Sequence, residues 1–198
     1  MRKKVYIYVN GIMTKPGQSD NWTGRAVTWT HLNTNHRAEK VEYWVGPVSR
    51  AFNRGQKRRA YKLAKTVRFY AARDWEIILV GHSNGANVIG NASRLVPKEQ
   101  RKRVSAVYLF AAAADPDFQK TGLNRWSAPV TLFNGGKDGA LNLAHGIGRV
   151  LGYGGLGLLG VEPKNAKVPV TVISKEDFDH GTWFSDLEFD RSLNEVTK

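Results

Sequence analysis

Ser83 stands between Gly81 and Gly85 in the stretch ILVGHSNGANVIG, residues 78–90. An apolar run ending at Val80 and an apolar-periodic helix starting near Asn84 leave almost no residues for the turn between them. Glycines on both sides of Ser83 remove the Cβ atoms that would clash across so sharp a bend. A strand-to-helix turn of this form, a nucleophile elbow, exposes the serine oxygen above the carboxyl ends of a sheet and points the amides of a helix N-terminus at the same spot. A serine hydroxyl is a weak nucleophile at neutral pH. Acyl transfer there demands a histidine to take its proton and a carboxylate to orient that histidine.

The elements that must position such a group are short β-rich runs alternating with longer helical patterns. The runs are Lys4 to Val9, Val41 to Val45, Glu76 to Val80, Val104 to Ala111, Val130 to Phe133 and Val168 to Ile173. Between the second and third, Ala60, Leu63, Ala64, Val67 and Tyr70 or Ala71 recur at helical spacing, while Lys57, Arg58, Arg59, Lys62, Lys65 and Arg68 fall largely elsewhere: a basic amphipathic helix. After the third run Val88, Ile89, Ala92, Leu95 and Val96 repeat the pattern until Pro97 stops it. Strand and helix alternation predicts an α/β fold with a mostly parallel six-stranded sheet covered by helices on both faces. The length of 198 residues, without repeats or linkers, fits one domain spanning 1–198.

Bulk composition adds bounds. The first residues, MRKKVYIYVNG, have a basic start, but Asn10 and Gly11 break the apolar run far short of a signal-peptide core or membrane span, so cytoplasmic localisation is expected, with no transmembrane segment. With no cysteine there are no disulfides and no thiolate metal site, although such a chain works in either redox compartment and an unusual export route stays open. The net charge of +13 predicts attraction to an anionic partner, nucleic acid or acidic lipid, through the basic helix.

From VYIYVNGI through GHSNG and NGGKDGAL to DHGTWF, the chain resembles the α/β-hydrolase family, specifically its small, cap-less lipase and esterase members. The resemblance implies sheet order 2-1-3-4-5-6, with the loops after the first and third strands flanking the topological switch point. It implies oxyanion donors at the backbone amides of Asn84 and of Ile12, just after Gly11. Family members often read His-Gly where this chain has Asn10-Gly11.

Family order is serine, acid, histidine, which implies Asp138 beyond the fifth strand and His180 beyond the sixth. Asp115 and Asp117 in AADPDF are rival acids, because some members draw the acid from the fourth strand. Among the other histidines, His82 should point away from Ser83 and pack in the core, His31 and His36 lie in a polar connection, and His145 follows Asp138 closely as a second candidate base. A serine triad needs no cofactor, and no His-Glu-x-x-His or comparable metal-ligand cluster occurs.

The span from Ala112 to Pro129 is too short for a cap domain, so an open site is expected, suited to small-molecule or lipid esters. Trp183 and Phe184 beside His180 line an acyl pocket or simply pack, with Trp183 the candidate substrate contact. The glycine-rich stretch 152–161 is expected to be a helix end packed on the sheet, with a flexible acyl-facing flap as the alternative. Two functions follow: a serine esterase or lipase acting through an acyl-enzyme on Ser83, or a catalytically silent module of the same fold that binds nucleic acid or anionic membrane through its basic surface.

Overall fold

Side chains along β1 (Lys4–Val9) divide strictly between two cores: Val5, Ile7 and Val9 face one, Tyr6 and Tyr8 the other. In β3 (Glu76–His82), Ile77 and Leu79 join the first, Ile78 and Val80 the second. A strand buried on both faces needs a cover on each, which is how parallel sheets occur. The computed structural model describes residues 2–11, 21–42, 54–146 and 154–197.

The remaining strands are β2 (Arg37–Val41), β4 (Val104–Phe110), β5 (Val130–Gly135) and β6 (Val170–Lys175). All six run parallel in the order β2-β1-β3-β4-β5-β6, the expected topology. The order reverses at β1 and β3, so the loops leaving those strands flank one crevice at the carboxyl edge.

One face is covered by α2 (Arg54–Ala71) and α3 (Gly85–Ala92), and Ala60, Leu63, Ala64, Val67, Tyr70 and Ala71 of α2 are buried as their spacing predicts. Fully burying Leu63 and Val67 contributes roughly 1.5–3 kcal/mol each. The other face is covered by α1 (Trp22–Asn33), α7 (Phe189–Thr197) and the 3₁₀ turn Thr182–Phe184. Short helices α4 (Lys98–Arg101) and α5 (Phe118–Thr121), a 3₁₀ turn Leu123–Trp126, and α6 (Gly139–Gly146) complete the order. The β4–β5 connection holds only α5 and that turn, consistent with a cap-less fold. Among the described residues no helix is long and apolar enough to cross a membrane.

Two elements depart from the expected boundaries. The second strand is Arg37–Val41, ending where the apolar run at Val41 begins, and 43–45 lie outside the described residues. As an edge strand it exposes Arg37 and Lys40 and tolerates charge along its length. The connection before it, expected to be polar, contains α1. Its buried face includes Thr23 and Thr30 beside Trp22 and Ala26, and Thr30 meets the buried Tyr8 hydroxyl at 2.6 Å. Threonines on the core side hide the helical period from any hydrophobicity pattern. From the glycine-rich stretch, Leu156 and Leu158 are buried and the Gly157 amide donates to the Ala112 carbonyl at 2.9 Å, so this part packs against the end of β4, as expected, but as turns rather than a helix end; 152 and 153 lie outside the described residues.

Candidate active site

β3 ends at His82, α3 starts at Gly85, and Ser83 occupies the apex with φ of 53°. That left-handed conformation costs a non-glycine residue about 1–3 kcal/mol and persists only where its surroundings impose it. Here the Ser83 amide donates to the Phe110 carbonyl at 2.9 Å, and the Ser83 carbonyl accepts from Ala113 at 3.1 Å and Ala86 at 3.2 Å. The bend is therefore pinned to the end of β4 and to its own helix. A Cβ on Gly85 would lie 2.5 Å from the Val9 carbonyl oxygen and 3.1 Å from that of Asn10, so only glycine lets α3 start this close to the end of β1.

Asn84 follows the serine and is fully buried, with its side-chain oxygen 3.3 Å from the Asn87 amide. Asn87 in turn donates to the Ala113 carbonyl at 2.5 Å, fixing the first turn of α3. Among the described residues the backbone N–H of Asn84 makes no hydrogen bond. It is a donor left available beside Ser83, as an oxyanion donor must be. Ile12, the other expected donor, lies outside the described residues.

Asp138 and His180 come together across the loops that follow β5 and β6. The His180 Nδ1–H donates to Asp138 Oδ2 at 2.8 Å, and the second carboxylate oxygen accepts the Leu141 amide at 2.8 Å in the first turn of α6. Asp138 is fully buried and His180 about a quarter exposed. Two backbone bonds lace the loops together: Gly136 donates to the Lys175 carbonyl at 3.0 Å and Lys137 to that of Phe178 at 3.0 Å.

The rival acids do other work. Asp117 caps α5, accepting from Gln119 N–H at 2.9 Å, a bond that holds its carboxyl below the usual range. Asp115 accepts the Asp117 amide at 2.9 Å and faces Lys120. His31 sits on α1 and His36 just before β2; the His31 ring takes the Ala38 amide at 3.3 Å and His36 packs 5.8 Å from Tyr6. The side chain of His145, on α6, lies outside the described residues.

Two residues that pattern reading missed shape the His180 loop. The Asp179 carboxylate accepts from Thr182 Oγ1 at 2.8 Å and from the Gly181 and Thr182 amides at 2.8 and 2.9 Å, closing a tight turn around His180; the Thr182 hydroxyl, then the Gly181 amide, hold that carboxyl below its ordinary range. Asp-x-x-Thr is a turn signal that could have been read. His82, expected to be core packing alone, also lies 2.9 Å through Nε2 from the His180 carbonyl oxygen, and the two rings are 4.8 Å apart between centroids. His180 is thereby placed beside the elbow. Ser83 Oγ makes no hydrogen bond among the described residues, so the link from Ser83 to His180 is unclosed here; free active sites often tighten such bonds only with substrate in place.

Trp183 is 3% exposed and packs against Phe110, Phe133 and Phe178 at 5.7, 5.4 and 4.6 Å, with its indole N–H unpaired among the described residues. Of the two reserved roles it takes packing. Its neighbour Phe184 is the ring that reaches the elbow, stacked on Trp22 at 4.1 Å and edge-on to His82 at 5.5 Å.

The sheet order, the elbow after β3 and the Asp–His pair after β5 and β6 define the α/β-hydrolase fold. A thermophilic esterase from Thermogutta terrifontis, solved with butyrate bound, matches over 98% of this chain and 81% of its own, with a TM-score of 0.60 at 13% identity. An esterase from Pyrobaculum calidifontis matches over 98% and 75%, with a TM-score of 0.61 at 12% identity, and Est1E from Butyrivibrio proteoclasticus over 98% and 86%, at 0.55 and 11%. The family model described as VirJ, a bacterial virulence protein, matches residues 50–130, which hold α2, β3, the elbow and β4. No curated protein matches the chain in sequence.

Proposed function

We propose that this chain is a serine hydrolase that cleaves carboxylic esters through an acyl-enzyme on Ser83. The observation that carries the reading is the 2.8 Å contact between His180 Nδ1 and the buried Asp138 carboxylate, next to a strained serine. With Nδ1–H given to Asp138, the free Nε2 is the basic nitrogen, able to take the Ser83 proton as the oxygen attacks the ester carbonyl. The Asn84 amide, at the start of α3, meets the negative charge that develops on the carbonyl oxygen, with the Ile12 amide proposed as its companion. The imidazolium then protonates the departing alcohol, and water repeats the sequence to release the acid. The esterase neighbours lend support at the level of reaction class. Treatment with a fluorophosphonate probe tests the reading: one label per chain, at Ser83, is expected, and turnover of p-nitrophenyl esters of graded length then sorts esterase from lipase.

A location function runs beside the chemistry. On α2, Lys57, Arg58, Lys65 and Arg68 are exposed and, among the described residues, pair with no carboxylate. Lys57, Arg58 and Arg94 border a groove of about 770 Å³ floored by Ala60, Tyr61 and Leu95. Of the cations after α3, three have partners: Arg101 donates to the Ser93 and Val96 carbonyls, Lys102 pairs with Glu99 and Arg103 with Asp74. We assign attraction to an anionic partner chiefly to the α2 face and the groove beside it.

A further inference from the structure

We propose that His82 is a positioning residue for the reaction: its ring N–H grips the backbone carbonyl of His180 and sets the imidazole between Asp138 and Ser83. This rests on reading Ser83, Asp138 and His180 as a triad. The geometry is specific. His82 is the last residue of β3 and pairs in register with Phe110, so its backbone is fixed by the sheet. Its ring is flanked by Trp22 and Phe184, both edge-on, at 6.1 and 5.5 Å. From that seat Nε2 lies 2.9 Å from the His180 carbonyl oxygen.

A carbonyl can only accept, so Nε2 carries the proton and His82 is the neutral Nε2–H tautomer. Burial, and then the neighbouring His180, push the His82 pKa from 6.5 down to about 3. The donor therefore stays a single neutral N–H throughout turnover, even as His180 becomes an imidazolium 4.8 Å away. Asp138 holds the His180 ring by one nitrogen, which leaves the ring free to swing about that bond. The grip on the His180 carbonyl supplies a second fixed point on the same residue, and both come from the rigid carboxyl edge of the sheet. Holding reacting groups to within tenths of an ångström is where positioning residues act on rate.

The test separates the hydrogen bond from the packing. His82→Phe keeps a ring of similar girth but cannot donate, while His82→Gln keeps an N–H donor on a chain of similar reach. With folding checked by circular dichroism and thermal melting, His82→Phe should lower kcat on a soluble p-nitrophenyl ester by about tenfold or more with KM little changed, as expected for an interaction that matters in the transition state. His82→Gln should recover most of that loss. If His82→Phe does not fold, His82→Met takes its place against His82→Gln, since that pair matches in length and differs in the donor. Native kcat in the donor-less variant overturns the proposal, and so does an equal fall in the Gln variant, which would make ring packing the cause. Failure of the triad reading looks different: the unsubstituted protein would take no fluorophosphonate label at Ser83.

Discussion

Gly11 lies directly against Ser83: a Cβ added to Gly11 would sit 2.9 Å from the Cβ of Ser83 and 3.4 Å from the ring and carbonyl of His82. Neither neighbour can give way, since Ser83 is pinned by backbone bonds to β4 and His82 by its ring partners. The end of β1 and the elbow therefore share one packed volume. Gly11→Ala should displace the serine oxygen by a fraction of an ångström and slow fluorophosphonate labelling of Ser83 by up to about 10²-fold, the scale that misplacement of reacting groups costs. Labelling at the native rate in a folded Gly11→Ala protein would show that the crevice yields to an added methyl group without moving the serine oxygen.

The acid is tested by amide substitution at two positions. Asp138→Asn keeps size but presents an N–H donor or a weaker acceptor to His180 Nδ1, favouring the wrong imidazole tautomer, and should lower acylation by something on the order of 10⁴. Asp117→Asn should leave both acylation and Tm nearly unchanged, because its work is to cap α5 and asparagine caps a helix about as well. The reverse pattern, near-normal turnover in Asp138→Asn and collapse in Asp117→Asn, would move the acid to the β4 side.

How much of this was legible in the sequence follows from what kind of force places each residue. β1, β3 and β5 read correctly because burial on both faces demands unbroken apolar runs. The elbow reads because two glycines flanking a serine between a strand and a helix leave it one geometric use. Asp138 and His180 could be set at the same sheet edge by element order, but their contact depends on how two loops lace together, which no local pattern encodes. β2 and α1 read poorly for opposite reasons: an edge strand needs little hydrophobicity, and α1 buries threonines. His82 was legible as a packing residue, yet its bond to the His180 carbonyl joins residues 98 apart in the chain, and nothing local announces it.

Stability should fall in acid through His82. Its folded pKa, about 3, lies below the ordinary 6.5, so between those values the unfolded chain binds a proton that the native protein does not. The contribution is fully present above pH 6.5 and is lost progressively as pH drops toward 3, by as much as about 1.4 kcal/mol per pH unit. Urea unfolding from pH 7 to pH 4 should show this slope, and His82→Gln should flatten it. An equal slope in the substituted protein would assign the acid sensitivity to other groups.

Charge on α2 should govern location and leave the chemistry untouched. Lys57, Arg58 and Lys62 lie on the exposed face of α2, opposite the residues it buries against the sheet, whereas Ser83 sits at the β3–α3 turn. Arg59 is left out because it is only partly exposed. Changing the three to glutamate moves the net charge from +13 to +7, since each replacement removes one positive and adds one negative charge. Retention on heparin or on anionic vesicles should then drop, and what remains should weaken steeply with salt, as screening and counterion release require. Neutral vesicles should retain neither protein. Hydrolysis of a small neutral ester should proceed at the native rate in the reversed protein. If the folded variant lost that turnover, the groove beside Lys57 and Arg58 would belong to the catalytic site, and the separation of chemistry from location would be wrong.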